Sequence, residues 1–262
     1  HHSEFTQSWR EAGAKLVWVG GDDDAEDGEI EVGISEQTVA LGFIASRSHP
    51  DSFDGLDSII RIAHRYSLPV LVDAAAMLPP AENLRRFIDH GADLVVYSGG
   101  KAIRGPQSTG ILCGRQELVV AAAANNSPNH AIGRPAKVAR EEIVGLVVAL
   151  ERYVQRDHEA EMQTWHAQAQ IIVDIVSTAS GVKALIVQDD WVRPVPEVSI
   201  SFTSRWSGRT AQQIVEDLAN GDPAIIIEAS RRADEDIFVN PINLMPGEEE
   251  LLAQRLLAAM ER

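Results

Sequence analysis

Apolar positions along this chain of 262 residues fall into two textures. In the first half, short near-continuous runs such as Leu68-Pro-Val-Leu-Val-Asp73 and Asp93-Leu-Val-Val-Tyr-Ser98 read as strands buried on both faces. Between them the apolar residues recur every three or four positions, as at Ile59, Ile60 and Ala63, which is the spacing of a helix with one buried face. The pattern predicts strands over 15–19, 38–45, 69–73, 94–97 and 110–113, with helices over 3–12, 56–66 and 82–89. The acidic run 22–31 predicts a solvated loop. It fails as a calcium loop, because Ala25 and Ile34 stand where oxygen ligands are needed. Strands alternating with helices imply a parallel sheet with right-handed crossovers, whose ligands bind beyond the carboxyl ends of the strands.

The second half has a different rhythm. Residues 141–178 predict one long helix or a broken pair, with Ile143, Leu146, Val147 and Leu150 on one face. Strands over 198–203, 224–229 and 237–240 and helices over 211–219 and 247–260 follow. This predicts an α/β large domain over 1–156, ending in a connecting helix, and a small α+β domain over 157–262.

Composition narrows the chemistry. The chain has four lysines, Lys15, Lys101, Lys137 and Lys183, and its other cationic side chains are arginines. Lys101 stands at the tip of a Ser-Gly-Gly turn after the strand that begins at Leu94. Asp73 ends the strand before it. A strand-end carboxylate, a helix and a strand-end lysine are the parts of a pyridoxal 5'-phosphate (PLP) site: the lysine forms the Schiff base, and the aspartate keeps a proton on the pyridine nitrogen. Arginine cannot replace that lysine, since a guanidinium stays protonated. A formal net charge of −16 disfavours an extended nucleic-acid surface. A single cysteine, Cys113, excludes an internal disulfide and fits a reducing compartment. Without an apolar run near the length of a membrane span, a soluble cytoplasmic protein is expected.

Three motifs carry a resemblance. At Val72-Asp73-Ala-Ala-Ala, Tyr97-Ser-Gly-Gly-Lys101-Ala-Ile-Arg-Gly-Pro-Gln-Ser-Thr-Gly110 and Ile132-Gly-Arg-Pro-Ala-Lys-Val-Ala-Arg-Glu-Glu-Ile-Val-Gly145, the chain resembles the selenocysteine-synthase-like branch of fold type I PLP enzymes. That branch holds seryl-tRNA selenium transferases and sugar-acid ammonia-lyases. The resemblance implies a cofactor-binding large domain with a parallel-rich sheet and helices on both faces, plus the small C-terminal domain. It also implies a phosphate-binding Gly/Ser turn in a segment before His1, so the chain is expected to begin part-way into the family fold.

At the cofactor the resemblance implies Lys101 as the catalytic lysine, with Asp73, Ala75, Ser98, Gly105 and Thr109 around it. His1 and His2 are either the remnant of a purification tag or a ring-stacking pair. Asp73 could instead cap a helix, and Ser98 could cap a turn. The turn from Gly105 to Thr109 is either an ordinary turn or the segment that reaches the neighbouring subunit's phosphate. Arg104 and Arg134 are candidates for a substrate carboxylate or phosphate, against the alternative of surface ion pairs. Ala76 departs from the desulfurase pattern, because a methyl cannot touch the cofactor's phenolic oxygen.

The function expected from these residues is a PLP-dependent lyase, deaminating an amino acid or amino-sugar acid by α,β-elimination. The alternatives are β-replacement on seryl-tRNA and a non-catalytic scaffold with the same fold. A homodimer or a multiple of one is expected, with no nucleic acid, membrane or metal.

Overall fold

The computed structural model describes residues 6–20, 25–45, 52–190, 194–229 and 236–260. His1 and His2, and the start of the first expected helix, lie outside the described residues. The chain divides into two compact units, His1–Arg156 and Asp157–Arg262.

In the first unit a four-stranded sheet runs in the order β1 (Leu41–Ile44), β2 (Val70–Asp73), β3 (Leu94–Ser98), β4 (Gly110–Gly114). The first three strands are parallel. Helices α3 (Ser52–Arg65) and α4 (Asn83–Asp89) are the crossovers that parallel pairing requires. Val70 and Val72 of β2, and Val95 and Tyr97 of β3, are buried on one face with Leu56, Ile62, Ala63 and Phe87 in the core. The opposite face of the same strands carries Leu71, Asp73, Val96 and Ser98, all half-buried.

Four expectations need correction. Strand β4 pairs antiparallel with β3, because residues 99–109 make a loop and supply no crossover helix. The expected strand at 15–19 has no ladder among the described residues, and Val17 and Trp18 stand exposed. The acidic run is helical from Asp27 as α2 (Asp27–Gly33), following α1 (Gln7–Glu11). A capping box between Glu26 and Glu29 starts α2, buried Ile30 gives it an anchor, and Asp27 and Glu31 pair with Arg61 and Arg65 of α3. Helix α5 (Gln116–Ala124) follows β4 where no helix was expected.

The long helical stretch is a pair: α6 (Arg140–Gln155) and α7 (His158–Val176). The break falls at Asp157, whose side chain accepts from the Ala160 amide at 2.9 Å and caps α7. The second unit sets α7, α8 (Ala211–Ala219) and α9 (Glu248–Met260) with an antiparallel sheet. Its strand order is β5 (Val182–Val187), β6 (Glu197–Phe202), β8 (Ile237–Val239), β7 (Glu228–Ala229). Ile172, Val198, Ile200, Ile214, Leu218, Ile237 and Leu256 fill the core between them. Strand β5 had not been expected, and the strand expected at 224–229 shortens to its last two residues.

Candidate active site

Strands β2 and β3 end side by side, and each delivers a functional group at its carboxyl end. Asp73 closes β2, in register with Val96. Its Oδ1 accepts the amide of Ala75 at 3.0 Å, so the carboxylate is held by a two-residue turn. Residues 74–82 are turns and bends and α4 begins only at Asn83, so Asp73 does not cap a helix. Ala75 reaches the site through this amide, which is already engaged.

Beyond Ser98 the chain enters a loop closed on itself. The Gly99 amide donates to the Thr109 carbonyl at 2.9 Å, the Gly105 amide to the Gly99 carbonyl at 2.8 Å, and the Arg104 amide to the Lys101 carbonyl at 2.8 Å. A Cβ on Gly100 would stand 2.7 Å from Cα of Gln107, and one on Gly99 would strike the Thr109 side chain and Leu146. The loop needs glycine at both positions because its two limbs press together there. Helix α6 lies against it: Ser108 donates to Glu142, and Pro106 packs at Gly145. The Ser108 hydroxyl and the Ala139 amide together hold the Glu142 carboxyl below the usual carboxylate range.

Lys101 stands in this loop with its side chain exposed, and the turn lies at the rim of the sheet. Among the described residues its ammonium has no hydrogen-bond or ion-pair partner. The Ser98 hydroxyl is likewise without one. Arg104 follows at φ 62, a left-handed conformation uncommon outside glycine and recurrent at functional sites. Gly105 and Thr109 use their donors inside the loop, the Thr109 hydroxyl on the Pro106 carbonyl at 2.6 Å. Arg134 opens a short 3-10 turn (Arg134–Ala136), where Ser127 Oγ accepts from its Nη1 at 2.8 Å. Cys113 lies in β4 opposite Val95, whose carbonyl accepts from its Sγ at 3.8 Å, and burial pushes its thiol up, away from a nucleophile's range.

Two side chains that sequence reasoning passed over join these segments. Asn83, 2% exposed, donates from Nδ2 to the Met77 carbonyl at 2.7 Å. Tyr97, 1% exposed, donates from its hydroxyl to the Asn83 carbonyl at 2.6 Å. Burial raises the Tyr97 pKa far above its ordinary value, so it remains a donor. A tyrosine in an apolar strand and an asparagine at a helix start carry no sequence signal for this pairing.

The donor set suits PLP: a primary amine without a partner, a carboxylate on the neighbouring strand end, and a hydroxyl without a partner beside them. A parallel-rich sheet bearing such a set defines the class. Residues 1–133 match the aminotransferase class-V family. The chain belongs to that family, in the branch of fold type I PLP enzymes that its motifs resemble.

D-glucosaminate-6-phosphate ammonia lyase of Salmonella typhimurium is 32% identical over 96% of this chain and 65% of that protein. The 5'-C-glycyluridine monooxygenase-decarboxylase of a Streptomyces species is 31% identical over 93% of this chain and 60% of that protein. A solved structure of D-glucosaminate-6-phosphate ammonia-lyase superposes with a TM-score of 0.75 at 30% identity, covering 95% of this chain and 64% of the other. The chain thus spans somewhat under two thirds of the relatives it matches.

Proposed function

We propose that this chain carries the lysine and the ring-nitrogen partner of a PLP-dependent lyase, one that deaminates an amino acid or amino-sugar acid by α,β-elimination. The observation that carries the reading is the pairing of adjacent strand ends: Asp73 on β2, and Lys101 without a partner three residues beyond β3. PLP, when bound, draws electrons away from the substrate's α-carbon. Lys101 would hold the cofactor through its Nζ, and the same amine would serve as the base for the substrate's α-proton. Asp73 would hold a proton on the pyridine nitrogen. Ser98 offers its hydroxyl to the cofactor phosphate. Arg104 and Arg134 bind the substrate's carboxylate or phosphate, and Ser127 fixes the approach of Arg134. Overall, the substrate loses its α-proton and β-substituent, and water then releases a keto acid and ammonia. The 32% identity to an ammonia lyase supports this choice of reaction.

The reading includes a homodimer and a cytoplasmic setting. Helix α5 buries none of its residues although Leu118 to Ala124 are all apolar. Helix α6 leaves Ile143, Val144, Val147 and Val148 exposed. Such faces suit a subunit contact. Among the described residues no helix is long and apolar enough to cross a membrane, and Cys113 is a free thiol.

Borohydride reduction of the PLP-loaded protein, followed by peptide mapping, tests the central assignment. The cofactor is expected on Lys101. A label on Lys15, Lys137 or Lys183 instead, or no uptake of PLP, overturns it.

A further inference from the structure

Asp73 ends β2, in register with Val96 of β3, and Lys101 lies in the loop that follows β3. Their separation depends on that register and on what ties the two following loops to the sheet. The Lys101 loop is fastened by its own hydrogen bonds and by the Ser98–Gly110 pairing. The segment from Ala74 to Glu82 has a different fastening. At its near end the Ala74 amide donates to the Val96 carbonyl of β3 at 2.9 Å, and the Met77 amide to the Ala74 carbonyl at 3.0 Å. Its far end is tied by Asn83, whose amide group grips the Met77 carbonyl while its own carbonyl takes the Tyr97 hydroxyl. Tyr97 sits one residue before Ser98 and four before Lys101. The chain of contacts thus runs from the Asp73 segment through Met77 and Asn83 to the strand that presents the lysine.

The polar accounting at Asn83 favours a role beyond stability. Its Oδ1 is buried without a partner among the described residues. A buried unpaired acceptor is destabilising, and an apolar side chain there would avoid that cost. Its Nδ2, however, is the group that reaches Met77, and no apolar residue could supply that donor. Tyr97 is similar: phenylalanine would fill the same volume, and only the hydroxyl spans to the neighbouring segment.

We propose that Asn83 and Tyr97 are positioning residues that fix the Asp73 carboxylate relative to the Lys101 amine by tethering the 74–83 segment to β3. The inference rests on the reading of Asp73 and Lys101 as partners across one cofactor.

Tyr97→Phe removes one hydroxyl and retains the ring, and Asn83→Ala cuts the other link; the two variants test the tether separately. Hydrogen exchange in the protein without cofactor is the first measurement. Amides of residues 74–83 are expected to exchange about tenfold faster in either variant, the loss of one buried hydrogen bond, with residues 110–114 unchanged. The pH midpoint of the visible absorbance of PLP-loaded protein is the second. It is expected to move by about half a pH unit or more in both variants, since the charge beside the ring is displaced. Unchanged exchange overturns the tether. Faster exchange with an unmoved midpoint makes the pair merely structural and overturns the positioning role. If the unmodified protein takes up no PLP, the function reading itself fails, and a spectrum in the unmodified protein with unmoved variants sinks only this inference.

Discussion

Asp73 differs from an asparagine at the same strand end by a charge and hardly at all in size. An amide oxygen could still accept the Ala75 hydrogen bond now made at 3.0 Å, so the local turn would persist. Asp73→Asn therefore isolates the charge. Cofactor binding is expected to survive while turnover falls roughly a hundredfold, the equivalent of about two pH units of support for a neighbouring proton. Single-turnover release of keto acid measures it, and near-normal turnover would reduce Asp73 to a turn residue. Lys101 and Asp73 were legible because each has a local signature: one lysine among four in a Gly-Gly turn, one carboxylate ending an apolar run. Asn83 and Tyr97 have none, since their meaning lies in a contact fourteen residues apart.

At the scale of elements, the sheet has a second polar knot at its other end. Asp93, just before β3, accepts from the Val70 amide at 2.7 Å, the His64 ring at 2.9 Å and Arg115 Nη1 at 2.9 Å. Burial pushes its carboxyl up, but these three donors outweigh it and hold the group below the usual carboxylate range. A lowered folded-state pKa means stability that is present above the unfolded value and lost as pH falls through the folded one. Asp93→Asn is expected to cost roughly 2 kcal/mol at neutral pH by urea unfolding. The difference from the unmodified protein should shrink below about pH 4. A constant difference across that range would leave the carboxylate's charge without a part in it. The same elements show what sequence pattern can specify. Strands β2 and β3 and helix α3 follow from their apolar spacing alone. The direction of β4 does not, because an apolar run of five residues is the same in either direction, and only the loop before it decides. At Lys15–Val19 the run misleads: it finds no ladder among the described residues, and Val17 and Trp18 stand exposed. Helix α2 hides in an acidic run because capping and ion pairs to α3, rather than a wide apolar face, hold it.

For the whole molecule, the exposed apolar faces of α5 and α6 bear on assembly. An obligate interface buries over about 2,000 Å². A charge placed inside one carries a desolvation cost of several kcal/mol, so Val147→Asp is expected to weaken a dimer at least about a hundredfold. Light scattering with and without the substitution decides between a dimer-based particle and a monomer that still binds PLP. The return of β4 along β3 has one more consequence, for the order in which the chain acquires its shape. The loop of residues 99–109 closes a local hairpin, whereas β1–β2 and β2–β3 must each wait for a helical crossover of about twice that length or more. Closing the shorter segment demands less of the disordered chain and is the faster event. The turn bearing Lys101 can therefore take its final form as the hairpin closes, ahead of the pairing that brings Asp73 to β3. On this ordering Asp73 meets a lysine already in place.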